Sequence, residues 1–176
     1  MPRRIRNLAP ADLKDAALDY LARYAASTAR LRQVMTRRIR RSAQANKLDP
    51  EPLLQELEGV IAMLHRTGLL NDASFAEGRA RSLNRRGGSR RQIAAKLSAA
   101  GVASATTAQA LAGLEAELPD AEFAAALAYA KRRRLGAFRA PSDETPERRR
   151  KDLMAMARAG FALDLARRAL AGEEEG

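Results

Sequence analysis

Residues 89–101 read SRRQIAAKLSAAG, and residues 148–160 read RRRKDLMAMARAG. Both segments have apolar residues at helical spacing, and both end at a glycine, which is typical of a helix C-terminus. Both also begin with arginines, although the helix dipole disfavours each exposed positive charge at an N-terminus by about 0.3–1 kcal/mol. The two segments therefore predict copies of one helix, and their arginines favour an anionic partner.

These helices belong to a longer repeat. Residues 72–76 match residues 120–124 (DASFA against DAEFA), Gly101 matches Gly160, and a weaker first copy begins at Ser27. Ala, Leu, Arg, Glu and Gln dominate the chain, and period-two alternation is almost absent, which favours helices over strands. Helical units this small bury a face only by stacking on neighbours. The predicted fold is therefore all-α, an elongated, curved array of three tandem three-helix repeats.

Nine short helices and five segments are predicted from this pattern. The helices span residues 12–24, 27–43, 51–66, 72–86, 89–100, 104–118, 120–135, 146–159 and 162–171. The segments are a basic N-terminal arm at 1–11, repeats at 12–70, 71–118 and 119–171, and an acidic tail at 172–176. The third repeat carries an insertion at 136–146, between its first and second helices.

Helix caps and core positions follow from the same pattern. Ser89 and Gln92 have the spacing of a capping box, and Thr145 precedes a proline as an N-cap would. We assign the acids at helix starts to capping of their own helices: Asp49, Asp72 and Asp120. Predicted core residues, which share apolar stripes or equivalent repeat positions, are Leu53, Leu57, Ile61, Leu64, Phe75, Ile93, Leu97, Leu111, Leu114, Leu118 and Phe123.

Positive charge dominates the composition and is concentrated in three windows. Lys and Arg number 32 against 21 Asp and Glu, which gives a net charge of +11 and favours a polyanion or an acidic protein as partner. No acid occurs in residues 20–48, 78–114 or 123–142, and each window includes the link between the first and second helices of a repeat. A solvated surface that keeps the protein soluble is the simpler explanation of such charge runs. Their recurrence at one structural position favours a binding surface.

The predicted binding surface comprises the basic residues around these links. They are Arg37, Arg38, Arg79, Arg81, Arg85, Arg86, Arg90, Arg91, Lys96, Lys131, Arg132, Arg133, Arg134, Arg148, Arg149 and Arg150. Glu147 and Asp152 dilute the charge of the third copy. Aromatic residues are only 4% of the chain, so few rings are available to stack on unpaired bases. Binding to nucleic acid is therefore expected to be weak, salt-sensitive and mainly through phosphates.

The residues needed for catalysis or metal binding do not form a recognisable set. Cysteine is absent, which excludes disulfides and thiolate chemistry, and we interpret the single histidine, His65, as an exposed or helix-end residue. No nucleophile–base pair, Gly-rich phosphate loop or metal-ligand spacing appears. No apolar run approaches the roughly 20 residues of a membrane span. We therefore expect a monomeric cytoplasmic protein that is not an enzyme and has no cofactor, metal site or membrane contact.

Residues 68–102 (GLLNDASFAEGRARSLNRRGGSRRQIAAKLSAAGV) resemble the second-repeat signature of the RecX family of bacterial recombination regulators. Matching positions are Asp72, Phe75, Ala76, Arg79, Gly87, Arg91, Ile93, Leu97, Gly101 and Val102. Asn71 replaces an acid of the family pattern, and the turn GGSRR departs from its usual Gly-x-Gly-Pro form. Residues 148–161 resemble the terminal basic helix of the same family.

The resemblance implies a role in regulating RecA. Members of the family bind RecA, lie along the groove of its filament on DNA, and usually restrain strand exchange, ATPase and coprotease activities in recombination, repair and the SOS response. They also bind DNA weakly. The implied partners are therefore RecA, as monomer or filament, and single- or double-stranded DNA. Two alternatives remain open: a sequence-specific helix-turn-helix regulator, and a helical scaffold for an acidic protein.

Overall fold

The computed structural model describes residues 8–140 and 145–172. Most of the predicted N-terminal arm, the centre of the 136–146 insertion and the acidic residues of the tail lie outside the described residues. The described part contains nine α-helices and no strand: α1 Pro10–Arg23, α2 Thr28–Asn46, α3 Glu51–Arg66, α4 Asp72–Arg85, α5 Arg90–Ala99, α6 Ser104–Glu117, α7 Ala121–Arg133, α8 Pro146–Ala159 and α9 Leu163–Ala171. The all-α prediction is confirmed, and helix ends differ from the predicted ones by a few residues. A 3₁₀ turn at Gly136–Phe138 was not predicted.

The chain forms two compact units. The first contains residues 1–75 and 100–102, and the second contains residues 76–99 and 103–176. Residues 100–102, which directly follow α5, therefore belong to the first unit, whereas α5 itself belongs to the second. The division into three sequence repeats remains a prediction.

In the first unit, α1, α2 and α3 surround a core of large apolar side chains. Leu13, Leu31, Met35 and Leu64 are completely buried there, and Ser27 is completely buried at the N-terminus of α2. Positions 27, 31 and 35 follow the four-residue spacing that places side chains on one helix face. The weaker first copy of the repeat, which begins at Ser27, therefore corresponds to a buried face of α2.

In the second unit, α7, α8 and α9 enclose the main apolar cluster. Met156 is completely buried in it, and the rings of Tyr129 and Phe161 pack edge to face with centroids 5.6 Å apart. Such aromatic pairs contribute about 0.5–1.5 kcal/mol beyond the area that they bury. Phe123 is buried as predicted, and the guanidinium of Arg168 lies 4.5 Å from the centre of its ring.

Three of the predicted core residues are less buried than expected. Leu118 is 41% exposed, because α6 ends at Glu117 and Leu118 adopts an extended conformation outside the helical stripe. Phe75 is only half-buried. The other predicted core positions are buried, apart from the half-buried Leu53.

Buried serines join the start of one helix to the end of another in both units. Ser89 Oγ accepts a hydrogen bond from Gln92 N (3.2 Å) and donates one to Ala159 O (2.6 Å). Ser27 Oγ accepts from Arg30 N in the same way and donates to Ala100 O. Each serine therefore caps its own helix and satisfies a carbonyl at the end of a distant helix. We call each arrangement a serine joint.

The predicted capping box at Ser89 is thus only half correct. The serine half forms, but within the described residues the Gln92 side chain makes no return bond to the backbone of Ser89. Gly160 follows Ala159 with φ +100°, and a Cβ added to it would lie 2.8 Å from Ser89 Oγ. Glycine is required here both for the left-handed conformation and for the close approach of the two segments.

Candidate functional site

The positive N-termini of α2 and α5 are each capped by a carboxylate from another helix. Neither helix has an acid in its own first turn. Asp72, at the start of α4, accepts hydrogen bonds from Thr28 N (2.7 Å) and Thr28 Oγ1 (3.0 Å). Glu122, at the start of α7, accepts one from Arg90 N (2.8 Å). The dipole of each helix is therefore compensated within the protein itself, in addition to any external anion.

This arrangement corrects two assignments made from the sequence. Asp72 caps α2 rather than α4. At the start of α4, Asn71 Oδ1 instead accepts hydrogen bonds from Ala73 N at 2.9 Å and Ser74 N at 3.1 Å. Asp120 lies in the left-handed region (φ 60°) and makes no side-chain cap bond. Local capping rules assign Asp72 to α4 because they consider only neighbouring amides, whereas the amide that donates to Asp72 is Thr28 N of α2.

The predicted cap at Thr145 forms, whereas Asp49 lies one residue before the N-cap of α3, which is Pro50. Asp49 Oδ1 nevertheless accepts a hydrogen bond from Glu51 N at 3.0 Å. Thr145 Oγ1 accepts from Arg148 N at 3.3 Å, and Pro146 is the first residue of α8.

The predicted binding residues are exposed, with the exception of the half-buried Arg81. Arg81 forms a bidentate pair with Glu117, with both N–O distances at 2.7 Å, and its guanidinium also lies 3.7 Å from Glu77. The hydrogen bond from Arg81 lowers the pKa of Glu117. Because its guanidinium already has two carboxylate partners, Arg81 is the poorest candidate among the predicted residues.

Four of the predicted cations come together around one small pocket in the second unit. Arg79 of α4, Arg86 of the α4–α5 turn, Lys96 of α5 and Arg132 of α7 line a cavity of about 170 Å³. The remaining lining residues are Leu83, Gly87, Gly88, Gln92 and Ile93. We call this cavity the Gly87 pocket.

Packing of the α4–α5 turn against α7 forms the Gly87 pocket. Gly87 has φ +78°, and a Cβ added to it would lie 2.6 Å from the backbone nitrogen of Tyr129. The side chain of Asn84 donates to Ala121 O at 2.7 Å, and Arg132 Nη1 donates to Arg86 O. These contacts hold the start of α5 and the basic end of α7 against each other.

A second basic surface follows one face of α2 in the first unit. Arg37 lines a groove of about 670 Å³ together with Arg40 and Arg41, which the sequence prediction omitted. Positions 37, 40 and 41 have the three- and four-residue spacing that brings side chains onto one helix face, and this signal could have identified them. Arg32, at the same groove, is paired with Glu58 through bonds of 2.7 and 2.9 Å.

The basic end of α7 is partly engaged with aromatic rings. The guanidiniums of Arg132 and Arg133 lie 5.7 and 5.4 Å from the centre of the Tyr129 ring, and Arg133 Nη1 donates to Tyr129 Oη at 3.2 Å. Lys131 Nζ lies 5.5 Å from the centre of the Phe138 ring. These cations are oriented by their neighbours while their side chains remain exposed.

Asp152 has a structural role rather than the charge-diluting role inferred from the sequence. Its side chain is buried, accepts from Gly136 N at 2.9 Å and pairs with Arg139 at 2.7 Å. It therefore ties the residues that follow α7 to α8. Glu147 lies in the first turn of α8.

Several predicted site residues have no side-chain partner in residues 8–140 and 145–172. These side chains make no ion pair, hydrogen bond or ring contact there: Arg37, Arg38, Arg79, Arg85, Arg86, Lys96, Arg134 and Arg150. Arg91 differs, since its Nη2 donates to Arg158 O at 2.8 Å. Cationic side chains without internal partners are available to an external anion.

The described residues contain no cluster of His, Asp and Glu able to hold a metal ion. His65 is exposed at the end of α3, as predicted, with Nε2 3.0 Å from Thr28 Oγ1. None of the helices described is both long enough and apolar enough to cross a membrane.

Comparison with known proteins identifies relatives of this chain. A family model described as RecX, second three-helix domain, matches residues 71–111. The regulatory protein RecX of Myxococcus xanthus is 38% identical over 169 residues, which cover 96% of this chain and 89% of that protein.

Two solved structures have a similar fold. The crystal structure of RecX from Lactobacillus salivarius has a TM-score of 0.64 at 18% identity, covering 93% of this chain and 95% of that one. A second crystal structure, of a regulatory protein RecX, has a TM-score of 0.63 at 16% identity, covering 93% and 72% of the two chains. At these identities the likeness concerns the fold alone.

Proposed function

The chain belongs to the RecX family, and from that premise we propose that it binds RecA and the RecA filament on DNA and inhibits strand exchange, ATPase and coprotease activity. It acts as a monomeric regulator in the cytoplasm and contributes no catalytic centre of its own. Binding uses the exposed basic side chains of α2 and of the links between α4 and α5 and between α7 and α8.

The observation that carries this proposal is the set of cations without internal partners. The protein pairs Arg32 with Glu58 and Arg81 with Glu117, so carboxylates are available and are used elsewhere. Other cations have no such carboxylate partner within the described residues and are exposed, for example Arg37 in the first unit and Arg86 in the second. Unpaired positive charge of this kind attracts a polyanion over a distance and lowers the free energy of its complex through charge-assisted hydrogen bonds.

A filament of RecA on DNA offers this basic protein two kinds of negative group: DNA phosphates and acidic side chains. Binding through them depends strongly on salt, because each phosphate that is neutralised releases condensed counterions. A regulator that occupies the filament in this way opposes the entry of a second DNA strand. Inhibition is therefore expected to weaken as the salt concentration rises.

Charge reversal at the α4–α5 link tests the proposal. The test variant carries glutamate at Arg85, Arg86, Arg90 and Arg91. The control variant carries glutamate at four exposed arginines outside the predicted surface, Arg23, Arg66, Arg158 and Arg167, and has the same net charge. Both are compared with the unmodified chain in a RecA strand-exchange assay, after circular dichroism has verified equal helicity.

The proposal predicts that the test variant loses inhibition and the control variant retains it. If both variants inhibit as well as the unmodified chain, the α4–α5 link does not contact the filament and the proposal is wrong. If both lose inhibition equally, net charge alone accounts for the effect, and the specific surface is refuted.

A further inference from the structure

The Gly87 pocket has the size and charge of a site for one small anion. Its volume of about 170 Å³ is below the roughly 300 Å³ at which pockets for drug-sized ligands begin. Four cations border this space, and no Asp or Glu is among its lining residues. Like charges held this close repel one another, so an anion between them lowers the free energy of the folded protein.

The cations of the Gly87 pocket are not neutralised from inside the described chain. Arg79, Arg86 and Lys96 have no side-chain partner there, and two carboxylates of the neighbouring helices α6 and α7 are engaged with other groups. Glu117 pairs with Arg81, and Glu122 accepts from Arg90 N. The pocket therefore combines four positive side chains with no internal counter-ion.

The cationic side chains are the main ligands for such an anion, because two amides of the α5 N-terminus already have acceptors. The amide of Arg90 is already bonded to Glu122, and the amide of Gln92 is bonded to Ser89 Oγ. The bond from Arg132 Nη1 to Arg86 O orients the guanidinium of Arg132 at the pocket wall before any ligand arrives. Preorganisation of this kind reduces the entropy that is lost on binding.

The arrangement favours phosphate over carboxylate. A carboxylate has two oxygens in one plane, and a single guanidinium satisfies both of them. Here cations from three segments, α4 with the turn that follows it, α5 and α7, line one space. A tetrahedral phosphate presents oxygens in several directions and can accept bonds from all of these groups at once.

We propose that the Gly87 pocket binds a single backbone phosphate of a DNA strand, held jointly by Arg79, Arg86, Lys96 and Arg132. This inference rests on the proposed function, because it takes DNA as a partner, and it adds which residues meet the DNA rather than RecA. It assigns no contact with DNA to Arg81, whose guanidinium is held by Glu117.

Single-strand binding by the full chain tests the proposal without RecA. The probe is a short fluorescein-labelled oligodeoxythymidine, and its anisotropy is measured over a series of salt concentrations. The single variants Arg79→Gln and Lys96→Gln are compared with the double variant and with the control Arg81→Gln. These positions are exposed or half-buried on the surface, so the variants are expected to fold.

We expect each single variant to bind about tenfold more weakly, which corresponds to about 1.4 kcal/mol. Because one single-strand phosphate contributes about 0.7 to the slope of log affinity against log salt, and Arg86 and Arg132 remain at the site, the double variant should lose at most about 0.7. A loss of about 1.4 would mean that the two cations meet separate phosphates and would overturn the shared site. Unchanged affinity in both single variants would overturn it as well.

A nuclear magnetic resonance titration distinguishes the source of the anion. The amide signals of Gly87 and Gly88 are followed on addition of the oligodeoxythymidine, inorganic phosphate or polyglutamate. The proposal expects the oligodeoxythymidine to shift both signals at the lowest concentration. If only inorganic phosphate shifts them, the pocket takes free phosphate. If polyglutamate shifts them equally, it takes carboxylates. Either result overturns the assignment to DNA.

The two proposals can fail separately. If the double variant binds DNA like the unmodified chain while RecA is still inhibited, the pocket assignment alone is wrong. If the pocket binds DNA as described but RecA is unaffected, the proposed regulation of RecA alone is wrong.

Discussion

Replacing Ser89 with alanine removes two hydrogen bonds at one completely buried position. The first is the N-cap bond from Gln92 N, whose loss costs about 1 kcal/mol in proteins. The second satisfies Ala159 O, and a buried carbonyl left without a donor costs about 1–3 kcal/mol. We therefore expect Ser89→Ala to lower the free energy of unfolding by about 2–4 kcal/mol.

Urea unfolding followed by circular dichroism measures this loss, and Ser98→Ala provides the matched control. Ser98 is an exposed residue of the same helix, so its replacement should change stability by no more than about 0.5 kcal/mol. Hydrogen exchange of the Gln92 amide gives a local readout, because that amide loses its acceptor. Ser27→Ala, at the equivalent joint of the first unit, should lower stability by a similar amount.

Equal stability of Ser89→Ala and Ser98→Ala, or an unchanged exchange rate of the Gln92 amide, would contradict this expectation. Both results together would mean that the hydroxyl group of Ser89 contributes nothing measurable to the serine joint. A loss confined to exchange at Gln92, with global stability unchanged, would show that the bond to Ala159 does not stabilise the fold.

Three further changes test other contacts. Gly160→Ala places a methyl group 2.8 Å from Ser89 Oγ at a left-handed position, and should lower the urea midpoint by the equivalent of about 1–3 kcal/mol. Combined with Ser89→Ala, its effect should be less than additive, because one of the two atoms at 2.8 Å is then gone and only Arg91 Nε remains. Burial raises the pKa of Glu122, so the folded state binds its proton more readily than the unfolded state does. The contribution of Glu122 to stability is therefore present at low pH and is lost as pH rises from about 4.3 through the raised pKa; urea unfolding at a series of pH values should show that Glu122→Gln removes this dependence. Asp152→Ala leaves the largely buried Arg139 without its partner and should lower the thermal midpoint by the equivalent of about 3 kcal/mol.

The sequence was sufficient to predict the helices because their signals are local. The apolar spacing of Ile93 and Leu97 indicates a helix from residues only four positions apart. The glycines that follow α5 and α8 likewise indicate helix ends from their immediate neighbours. Both apolar residues are buried, and Gly101 and Gly160 have positive φ as the sequence indicated. Hydrophobic period and helix ends are properties of one segment, so a single sequence contains them.

The contacts between helices could not be predicted in this way. Ser89 meets a carbonyl 70 residues further along the chain, and Asp72 caps an amide 44 residues before it. Local rules assign each of these side chains to its own helix because they consider only neighbouring amides. The fold instead brings distant helix ends together, and a capping residue then serves whichever orphan group lies within reach.

The same limit applies to the candidate site. All of the predicted cations except Arg81 are exposed, and their role in binding remains a prediction. The sequence did not show that Arg81 is held by Glu117, 36 residues away, or that Arg132 meets Arg86 across the Gly87 pocket. Which cations converge depends on how α4, α5 and α7 pack, and the composition of a window carries no such information.

If the unpaired cations of this protein bind the RecA filament on DNA, as we propose, the protein changes the activity of that filament. The ATPase rate of RecA on single-stranded DNA, measured as the protein is added up to stoichiometric amounts, tests this binding. We predict that the rate falls with added protein and recovers as the salt concentration is raised. An ATPase rate that stays constant up to one protein per RecA would contradict the proposal.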